Sequence, residues 1–298
     1  MRRFPRRVVL GVTVLAVLAV AVAVAVLIST GGSKVDYAQF KQCPLGNPAT
    51  KLCLFTQTEG GEFVAGSKAV PISRTITLQG GVHIVESKER EIVKDEFIAA
   101  KDGETVSKAP QPVPGGLEGV VDPKRLAPAL RVLYKEFIDR GITEVTATIE
   151  LAAPASSIGI DVQDLIEAEG TALALPVKVK LSNGFLGASC YIGSNADPIS
   201  LRLTTGRVDP PKPNKPIKGK VGKAKLEDDY NLTVIKGSSL VNNAFAAPAA
   251  RGCVKTGDPA IDPAIDAKLG LPAGPGHNTV ILDGTLQDAN APAVKASR

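Results

Sequence analysis

The sequence has no tryptophan, only four tyrosines and only two histidines in its 298 residues. Exposed Trp and Tyr rings are the usual platforms that stack on sugars, so their scarcity argues against carbohydrate recognition. The chain also lacks any Cys-x-x-Cys pair. With this cysteine spacing and so few histidines, a zinc site or a thiol redox site is a weak interpretation.

The motifs that mark a hydrolase are missing as well. Gly-x-Ser-x-Gly, the turn that exposes a nucleophilic serine, does not occur in the chain. A Ser-His-Asp site would have to use His277, in a Gly/Pro-rich loop with Asp283 nearby, because His83 lies in an alternating strand pattern. We therefore predict no catalytic residue, no metal and no cofactor. An exported hydrolase that acts on wall polymers and uses His277 is the alternative.

What the sequence does have is a basic start followed by a long apolar run. Residues 1–7 carry four arginines, and residues 8–28 are almost entirely Val, Ala and Leu. As a helix this run is about 30 Å long, the thickness of the hydrocarbon core of a bilayer, and Arg is retained on the cytoplasmic side. We predict a cytoplasmic basic segment, 1–7, and a single transmembrane helix, 8–28, with the rest of the chain outside the cell membrane.

Cleavage of this segment is the alternative to a permanent anchor. The apolar region of a signal peptide usually has about 7–15 residues and ends at a site resembling Ala-x-Ala. The run in this chain is longer, and Ser29 with Gly31 satisfies the small-residue rule only weakly. The length favours an uncleaved anchor, with cleavage after Gly31 and secretion as the other outcome.

Four of the five net positive charges lie in the N-terminal segment. Residues 1–32 hold four arginines and no acid, which leaves 31 basic and 30 acidic residues in the remainder. A nucleic-acid-binding domain needs a basic face, and this near balance argues against one. The predicted partner is therefore the membrane, through the N-terminal helix, and not a nucleic acid.

One local excess of positive charge remains, in the Pro-rich stretch 210–225. Six lysines occur there without an acid: Lys212, Lys215, Lys218, Lys220, Lys223 and Lys225. Proline lacks the backbone donor that a central strand needs, so we predict an exposed loop. Its lysines suit contact with anionic envelope polymers or lipid head groups. The simpler interpretation is a solvated loop that lysine keeps soluble.

The four cysteines predict two structural disulfides, because their number is even and disulfides persist outside the cytoplasm. Cys43 and Cys53 bracket a turn-like Pro-Leu-Gly-Asn-Pro stretch, whereas Cys190 and Cys253 lie far apart in sequence. Three pairings are formally possible. The pairing Cys43–Cys53 with Cys190–Cys253 needs the least rearrangement of the chain and is the one that we favour.

Beyond the apolar run, residues 29–62 are rich in Gly, Thr and Pro and predict an extracytoplasmic stalk. Residues 63–298 predict one β-rich domain. Alternating apolar and polar residues, typical of half-buried strands, recur at 143–151, 177–181, 201–203 and 230–234. Strands separated by Gly, Pro and Asn turns favour antiparallel sheets packed face to face, so the predicted fold is mainly β and sandwich-like. A 3.6-residue period from Ala129 to Arg140 predicts one amphipathic helix.

Three shorter signals concern turns and carboxylates. The dipeptides Gly80-Gly81 and Asp102-Gly103 separate strand-like segments and predict turns, the second of them a hairpin. A repeat at 258–266 spaces three aspartates by four residues, so that on a helix they would share a face and attract a hard cation. Asp-Pro is also an ordinary start of a helix, and we favour this capping role.

Four stretches of the chain resemble a group of exported proteins of high-GC Gram-positive bacteria. They are residues 181–187 (LSNGFLG), 189–194 (SCYIGS), 203–206 (LTTG) and 241–248 (VNNAFAAP). The resemblance covers most of the predicted exported part and agrees with the Cys190–Cys253 pairing. It implies a location outside the membrane and no particular chemistry. We therefore expect a non-enzymatic envelope protein that acts as a structural or binding module.

Overall fold

The computed structural model describes residues 35–86, 93–253 and 261–298. The chain divides into an N-terminal unit, Met1–Val35, and a compact unit, Asp36–Arg298. The predicted basic segment and transmembrane helix lie outside the described residues. Within the described part, every helix is too short or too polar to cross a membrane.

The compact unit is built mainly from antiparallel strands, as predicted. The strands are β1 (Leu52–Ala65), β2 (Lys68–Pro71), β3 (Ile76–Glu86), β4 (Val93–Ala99), β5 (Gln111–Pro112), β6 (Thr146–Leu151), β7 (Gly159–Ile160), β8 (Leu173–Ser182), β9 (Tyr191–Ile192), β10 (Ile199–Leu203), β11 (Arg207–Val208), β12 (Ile217–Lys218), β13 (Lys223–Glu227), β14 (Leu232–Asn242), β15 (Ala250–Arg251) and β16 (Thr279–Asn290). Fourteen of them form one sheet, and β11 pairs with β12 separately.

The strand order of the main sheet is β13-β14-β16-β1-β3-β4-β7-β8-β6-β5, and β10 and β9 also pair with β8. An isolated bridge joins Thr204, which directly follows β10, to Val241 of β14. The path β14-β16-β1-β3-β4-β7-β8-β10 therefore returns to β14. Its two halves face each other across the apolar core, which agrees with the sandwich-like prediction.

Alternation places the core on the inner face of the strands. In β8 the buried and half-buried residues alternate along all ten positions, which confirms the strand predicted at 177–181. The pattern at 201–203 lies in β10, where Leu201 and Leu203 are buried and Arg202 is exposed. A buried apolar face and a solvated polar face are what an antiparallel sheet with one covered side requires.

Five helices occur among the described residues: α1 (Gly116–Val120), α2 (Pro128–Asp139), α3 (Val162–Glu167), α4 (Ile261–Leu269) and α5 (Ala291–Ala296). α2 confirms the predicted amphipathic helix. It buries Leu130 and Tyr134, and the Tyr134 ring meets the Phe185 ring edge-on at 5.5 Å. Pro128 occupies its first turn, where a missing N–H costs no helical hydrogen bond.

The predicted stalk 29–62 is wrong from Asp36 onward, because these residues belong to the compact unit and Phe40 and Cys43 are already buried. β1 lies in the middle of the sheet, hydrogen-bonded to β3 on one side and to β16 on the other. Only Cys53, Leu54, Phe63 and Ala65 of its fourteen residues are buried. Backbone ladders to β16 along most of the strand and to β3 over Leu52–Thr58 hold β1 in the sheet while few of its side chains are buried, so its composition resembles that of a linker.

The turn predicted at Gly80-Gly81 is wrong. β3 runs straight through Gly80-Gly81. A Cβ at Gly80 would lie 2.4 Å from the Ile98 carbonyl oxygen and 2.6 Å from a ring carbon of Phe97, so glycine serves here to let the neighbouring strand β4 approach closely. Asp102-Gly103 does form a turn, in which the Gly103 N–H donates to the Ala100 carbonyl oxygen at 3.0 Å, but the hairpin predicted there is wrong. After Asp102-Gly103 the chain does not return along β4; instead Val106 bridges Leu78 of β3.

Both predicted disulfides are present. Cys43 and Cys53 are joined at an S–S distance of 1.99 Å, and Cys190 and Cys253 at 2.02 Å. No cysteine is left free. The two bridges indicate an oxidising environment, because disulfides are rare where thiols are kept reduced.

Candidate functional site

An apolar cavity lies between the two facing halves of the sheet. Its walls come from β1, β3, β14 and β16 on one side and from β6, β7, β8, β10 and α3 on the other. The cavity volume is about 80 Å³, several times the roughly 10–15 Å³ that one ordered water needs. An apolar void of this size, left empty, would lower the folding stability by about 2 kcal/mol. An apolar space of this size in the core is a candidate site for a small apolar molecule.

The lining of this cavity carries no charge. None of its 24 residues has an ionisable side chain, and most are Leu, Ile or Val. Five lining residues are polar: Thr56, Gln57, Thr58, Ser238 and Thr285. A ligand in this space would meet hydrocarbon on most sides and a few hydroxyl or amide groups on one.

The polar residues gather at the level where two β-bulges meet. β1 bulges directly after Thr58 and β14 directly before Ser238, and both residues lie opposite Gly284 of β16. A Cβ on Gly284 would lie 1.9 Å from the Gln57 carbonyl oxygen, so only glycine fits this close approach of the strands. The bulges bend the strands at this row, as such irregularities commonly do.

The hydroxyl groups at this level differ in their partners. Ser238 Oγ donates to the Gly284 carbonyl oxygen at 3.2 Å. The hydroxyls of Thr56 and Thr58 make no hydrogen bond to any residue of the described ranges. Two donors therefore remain available on the β1 wall of the cavity.

A carboxyl group lies beside the cavity, on the same face of β16 as the lining residue Leu286. Asp288 is flanked by Leu54 of β1 and by Thr233 of β14. Burial raises the pKa of Asp288 to about 6, against the opposing effect of a hydrogen bond with the Thr233 side chain. Because a buried carboxyl prefers its neutral form, this end of the core disfavours further negative charge.

The six predicted lysines are all exposed, but the segment 210–225 is only partly a loop. It contains β12 and the first part of β13, the edge strand of the sheet. Lys223 lies directly opposite the exposed Lys236 of β14, a cross-strand pair of like charges. Lys225 Nζ is 2.7 Å from a carboxylate oxygen of Glu227. The structure thus gathers several of the lysines along one edge.

The proline-containing part of this segment is held to the core by asparagine side chains, which the sequence reasoning missed. Asn214 Nδ2 donates to the carbonyl oxygen of the buried Asn278 at 2.8 Å. Asn243 Nδ2 donates to the Lys215 carbonyl oxygen, also at 2.8 Å. These bonds fix the path of the segment, so its lysines project from an ordered surface.

The two histidines lie apart from the cavity. His277 is exposed, and its ring has no hydrogen-bond partner within the described ranges. His83 Nδ1 is 3.5 Å from Glu96 Oε2, its cross-strand neighbour. Among the described residues, no three His, Cys, Asp or Glu side chains come together in a way that could hold a metal ion.

The aspartates of α4 bind backbone instead of a cation. Asp262 accepts from the backbone N–H of Cys253 at 2.7 Å, and Asp266 accepts from that of Ala250, also at 2.7 Å. Burial raises the pKa of Asp266, while the hydrogen bond from Ala250 acts against this shift. Asp258, the first of the repeat, lies outside the described residues. The carboxylates fasten the segment that leads into the second disulfide to α4.

No family model, no curated protein and no solved structure matches the chain. The cavity, the exposed lysine edge and the two disulfides are therefore the features that bear on function.

Proposed function

We propose that the chain is a non-enzymatic module of the cell envelope that binds an apolar ligand outside the membrane. The uncharged cavity between the sheet halves carries this proposal. The two disulfides are consistent with export, and the basic start with its apolar run supports a membrane tether. The resemblance to exported proteins of high-GC Gram-positive bacteria supports the same location.

The energetics and the volume of about 80 Å³ favour a small apolar group as the occupant. Each methylene that leaves water for an apolar space contributes about 0.8 kcal/mol. A ligand that fills the cavity also removes the penalty of the void. Because such a ligand binds the folded chain and not the unfolded one, it should stabilise the core strands.

A Leu282→Phe substitution is expected to weaken binding of xenon, an apolar probe small enough for the cavity, about tenfold or more. Leu282 lines the cavity from β16 and is half-buried, so the larger ring can occupy the space that the ligand would take. The full chain in neutral lipid nanodiscs is equilibrated with xenon at increasing gas pressure. Hydrogen–deuterium exchange of β14 and β16 amides, followed by mass spectrometry, reports occupancy of this site alone.

Leu226→Phe is the matched control, since Leu226 is an exposed leucine on edge strand β13. This variant should be protected by xenon as well as the unchanged chain is. Equal protection of the Leu282→Phe variant, or no protection of the unchanged chain, would remove the proposed function.

We also propose that the lysine edge contacts phosphate groups at the envelope surface, on anionic polymers or on lipid head groups. The support is the ordered backbone of the segment together with the like-charge pair of Lys223 and Lys236. Like charges directly opposite each other destabilise a sheet. An anionic partner would relieve that repulsion.

Changing Lys220 and Lys223 to Ser is expected to weaken binding of a soluble polyglycerol phosphate about tenfold at low salt, with the difference shrinking as salt is added. Binding is measured by calorimetry with the full chain in neutral nanodiscs, and a second arm replaces the polymer by phosphatidylglycerol vesicles. The control changes the exposed Lys101 and Lys108 to Ser, which removes the same charge elsewhere. Equal weakening by both pairs of substitutions would show that net charge alone accounts for the binding, and would contradict this second proposal.

A further inference from the structure

The sheet half that contains β1 and β16 has an outer face, turned away from the cavity, which the N-terminal segment covers at one end. A Cβ at Gly81 of β3 would lie 3.0 Å from a ring carbon of Pro44, and Gln39 Nε2 donates to Gln287 Oε1 of β16 at 2.8 Å. From Gln287 onward along this face, away from the N-terminal segment, side chains are half-buried or exposed. This part of the face is open to a ligand.

One row of polar side chains crosses the open part of the outer face. Each member lies directly opposite the next in the neighbouring strand. The row consists of Lys223 of β13, Lys236 of β14, Thr285 of β16, Gln57 of β1 and Thr77 of β3. Directly opposed residues of antiparallel strands point to the same face. Because neighbouring strands are about 4.8 Å apart, the row is about 19 Å long.

Strand alternation places this row on the outer face and not on the cavity wall. Leu78 and Leu286 belong to the core that lines the cavity, and they directly adjoin Thr77 and Thr285 in sequence. Successive side chains of a strand point to opposite faces, so both threonines point outward. Gln57 lies opposite both of them and shares their face. Gln57 and Thr285 therefore border the cavity with their backbone.

The row is positively charged at one end and neutral along the rest. Lys223 and Lys236 are exposed. The side chains of Thr285, Gln57 and Thr77 are half-buried, and their hydroxyl and amide groups make no hydrogen bond to any residue in the described ranges. Hydroxyl and amide groups offer both donors and acceptors. This stretch therefore matches a ligand that carries hydroxyl groups beside its anionic group.

Resting on the proposed contact of the lysine edge with phosphate, we infer that its ligand is an extended polyol phosphate polymer that lies across the strands. One phosphate is held at Lys223 and Lys236, and hydroxyl groups of the polymer lie along the neutral part of the row. A lipid head group brings a single phosphate and cannot follow a row of this length. No aromatic ring belongs to the row, which favours an open-chain polyol over a sugar ring.

The neighbouring charges also favour a polymer whose phosphates are spaced by polyol units. Asp283, which is exposed, lies two residues before Thr285 on the same face of β16. An inorganic polyphosphate has a charge on every unit and no hydroxyl group, so it would meet this carboxylate and leave the neutral side chains without hydroxyl partners.

The test removes the neutral hydrogen-bonding groups and keeps the lysines. Gln57→Met with Thr285→Val retains side-chain size. Calorimetry at low salt, with the full chain in neutral nanodiscs, compares polyglycerol phosphate with inorganic polyphosphate of equal phosphate number. The double variant is expected to bind polyglycerol phosphate about fivefold more weakly, the worth of one ordinary hydrogen bond, and to bind polyphosphate with unchanged affinity.

The matched control is Gln163→Met with Thr146→Val, which makes the same two changes in α3 and β6, on the opposite side of the cavity. It should bind both polymers as the unchanged chain does. Lys236→Ser should weaken both polymers, and its effect should shrink as salt is added, whereas the effect of the double variant should persist. If the double variant loses stability in urea, Thr77→Val provides a second test, with an expected weakening of about twofold for polyglycerol phosphate alone.

The outcomes separate this inference from the lysine edge itself. Binding of neither polymer by the unchanged chain would contradict the lysine edge. Equal affinity for the two polymers, with no effect of the neutral substitutions, would overturn the polyol and leave a purely electrostatic site. Phosphatidylglycerol vesicles form the last arm. If the double variant weakened vesicle binding as much as polymer binding, a lipid head group would replace the polymer as the occupant.

Discussion

Replacing Cys190 and Cys253 together with alanine is expected to lower the free energy of unfolding by about 4 kcal/mol. The bridge spans 63 residues, and in the chain-entropy model the stabilisation grows with the logarithm of the closed loop. The bridge also stabilises the short strand pair formed by β9 and β15, which pair over only two residues each. Urea unfolding of the full chain, followed by circular dichroism, measures the loss.

The comparison variant is Cys43→Ala with Cys53→Ala. That bridge spans 10 residues, so the same model predicts a smaller loss of about 3 kcal/mol. The loss from removing the long bridge is expected to exceed the loss from removing the short one, and this order tests the loop-length explanation. A larger loss from the short bridge would show that packing at Cys43 and Cys53, and not loop length, dominates the contribution of these disulfides.

Strands could be predicted where one face is buried and the other solvated. Leu201 and Leu203 flank an exposed arginine, and this alternation is visible without any structure. β1 was missed because a central strand can be stabilised by backbone ladders to both neighbours while few of its side chains are buried. The turn at Gly80 was predicted wrongly because glycine is required there by a close contact with the neighbouring strand, which includes the Phe97 ring and is distant in sequence.

The disulfide pairing was accessible from the sequence, but the cavity was not. Its lining comes from β1, β3, β6, β7, β8, β10, β14, β16 and α3, and no local pattern indicates that these segments surround one space. The bridge of Thr204 with Val241 closes the circuit, and nothing near Thr204 in the sequence marks it. The asparagines that order the lysine segment act over long separations, from Asn243 to Lys215 for example. Such contacts depend on how the strands are arranged in the sheet, which no short stretch of the sequence indicates.

Asp288 is the second group for which a large effect is expected, because it is a carboxyl beside an apolar cavity. Its pKa is raised from 3.8 to about 6 in the folded chain, mainly by burial. In the unfolded chain the same group is solvated and ionises at its ordinary value. The folded state therefore holds the proton more tightly than the unfolded state does. The contribution of Asp288 to stability is fully present below about pH 4 and is lost as the pH rises to about 6.

Asp288→Asn is expected to abolish this loss, since the amide cannot ionise and can still bond with Thr233. At about pH 7 the variant should be more stable than the unchanged chain by up to about 3 kcal/mol, and at about pH 3.5 the two should be nearly equal. Urea unfolding at both pH values measures the difference. Burial also raises the pKa of Asp95 and Asp266, so both proteins keep some pH dependence of the same sign.

The control for this result is Asp283→Asn, which removes one negative charge from an exposed position on the same strand. Its difference from the unchanged chain should stay small at both pH values, because an exposed carboxylate has little interaction to lose on folding. A stabilisation by Asp288→Asn that is equal at both pH values would mean that packing, and not ionisation, limits this position. A destabilisation at about pH 7 would mean that the carboxylate is favourably held. In that case the core beside the cavity would tolerate a negative charge.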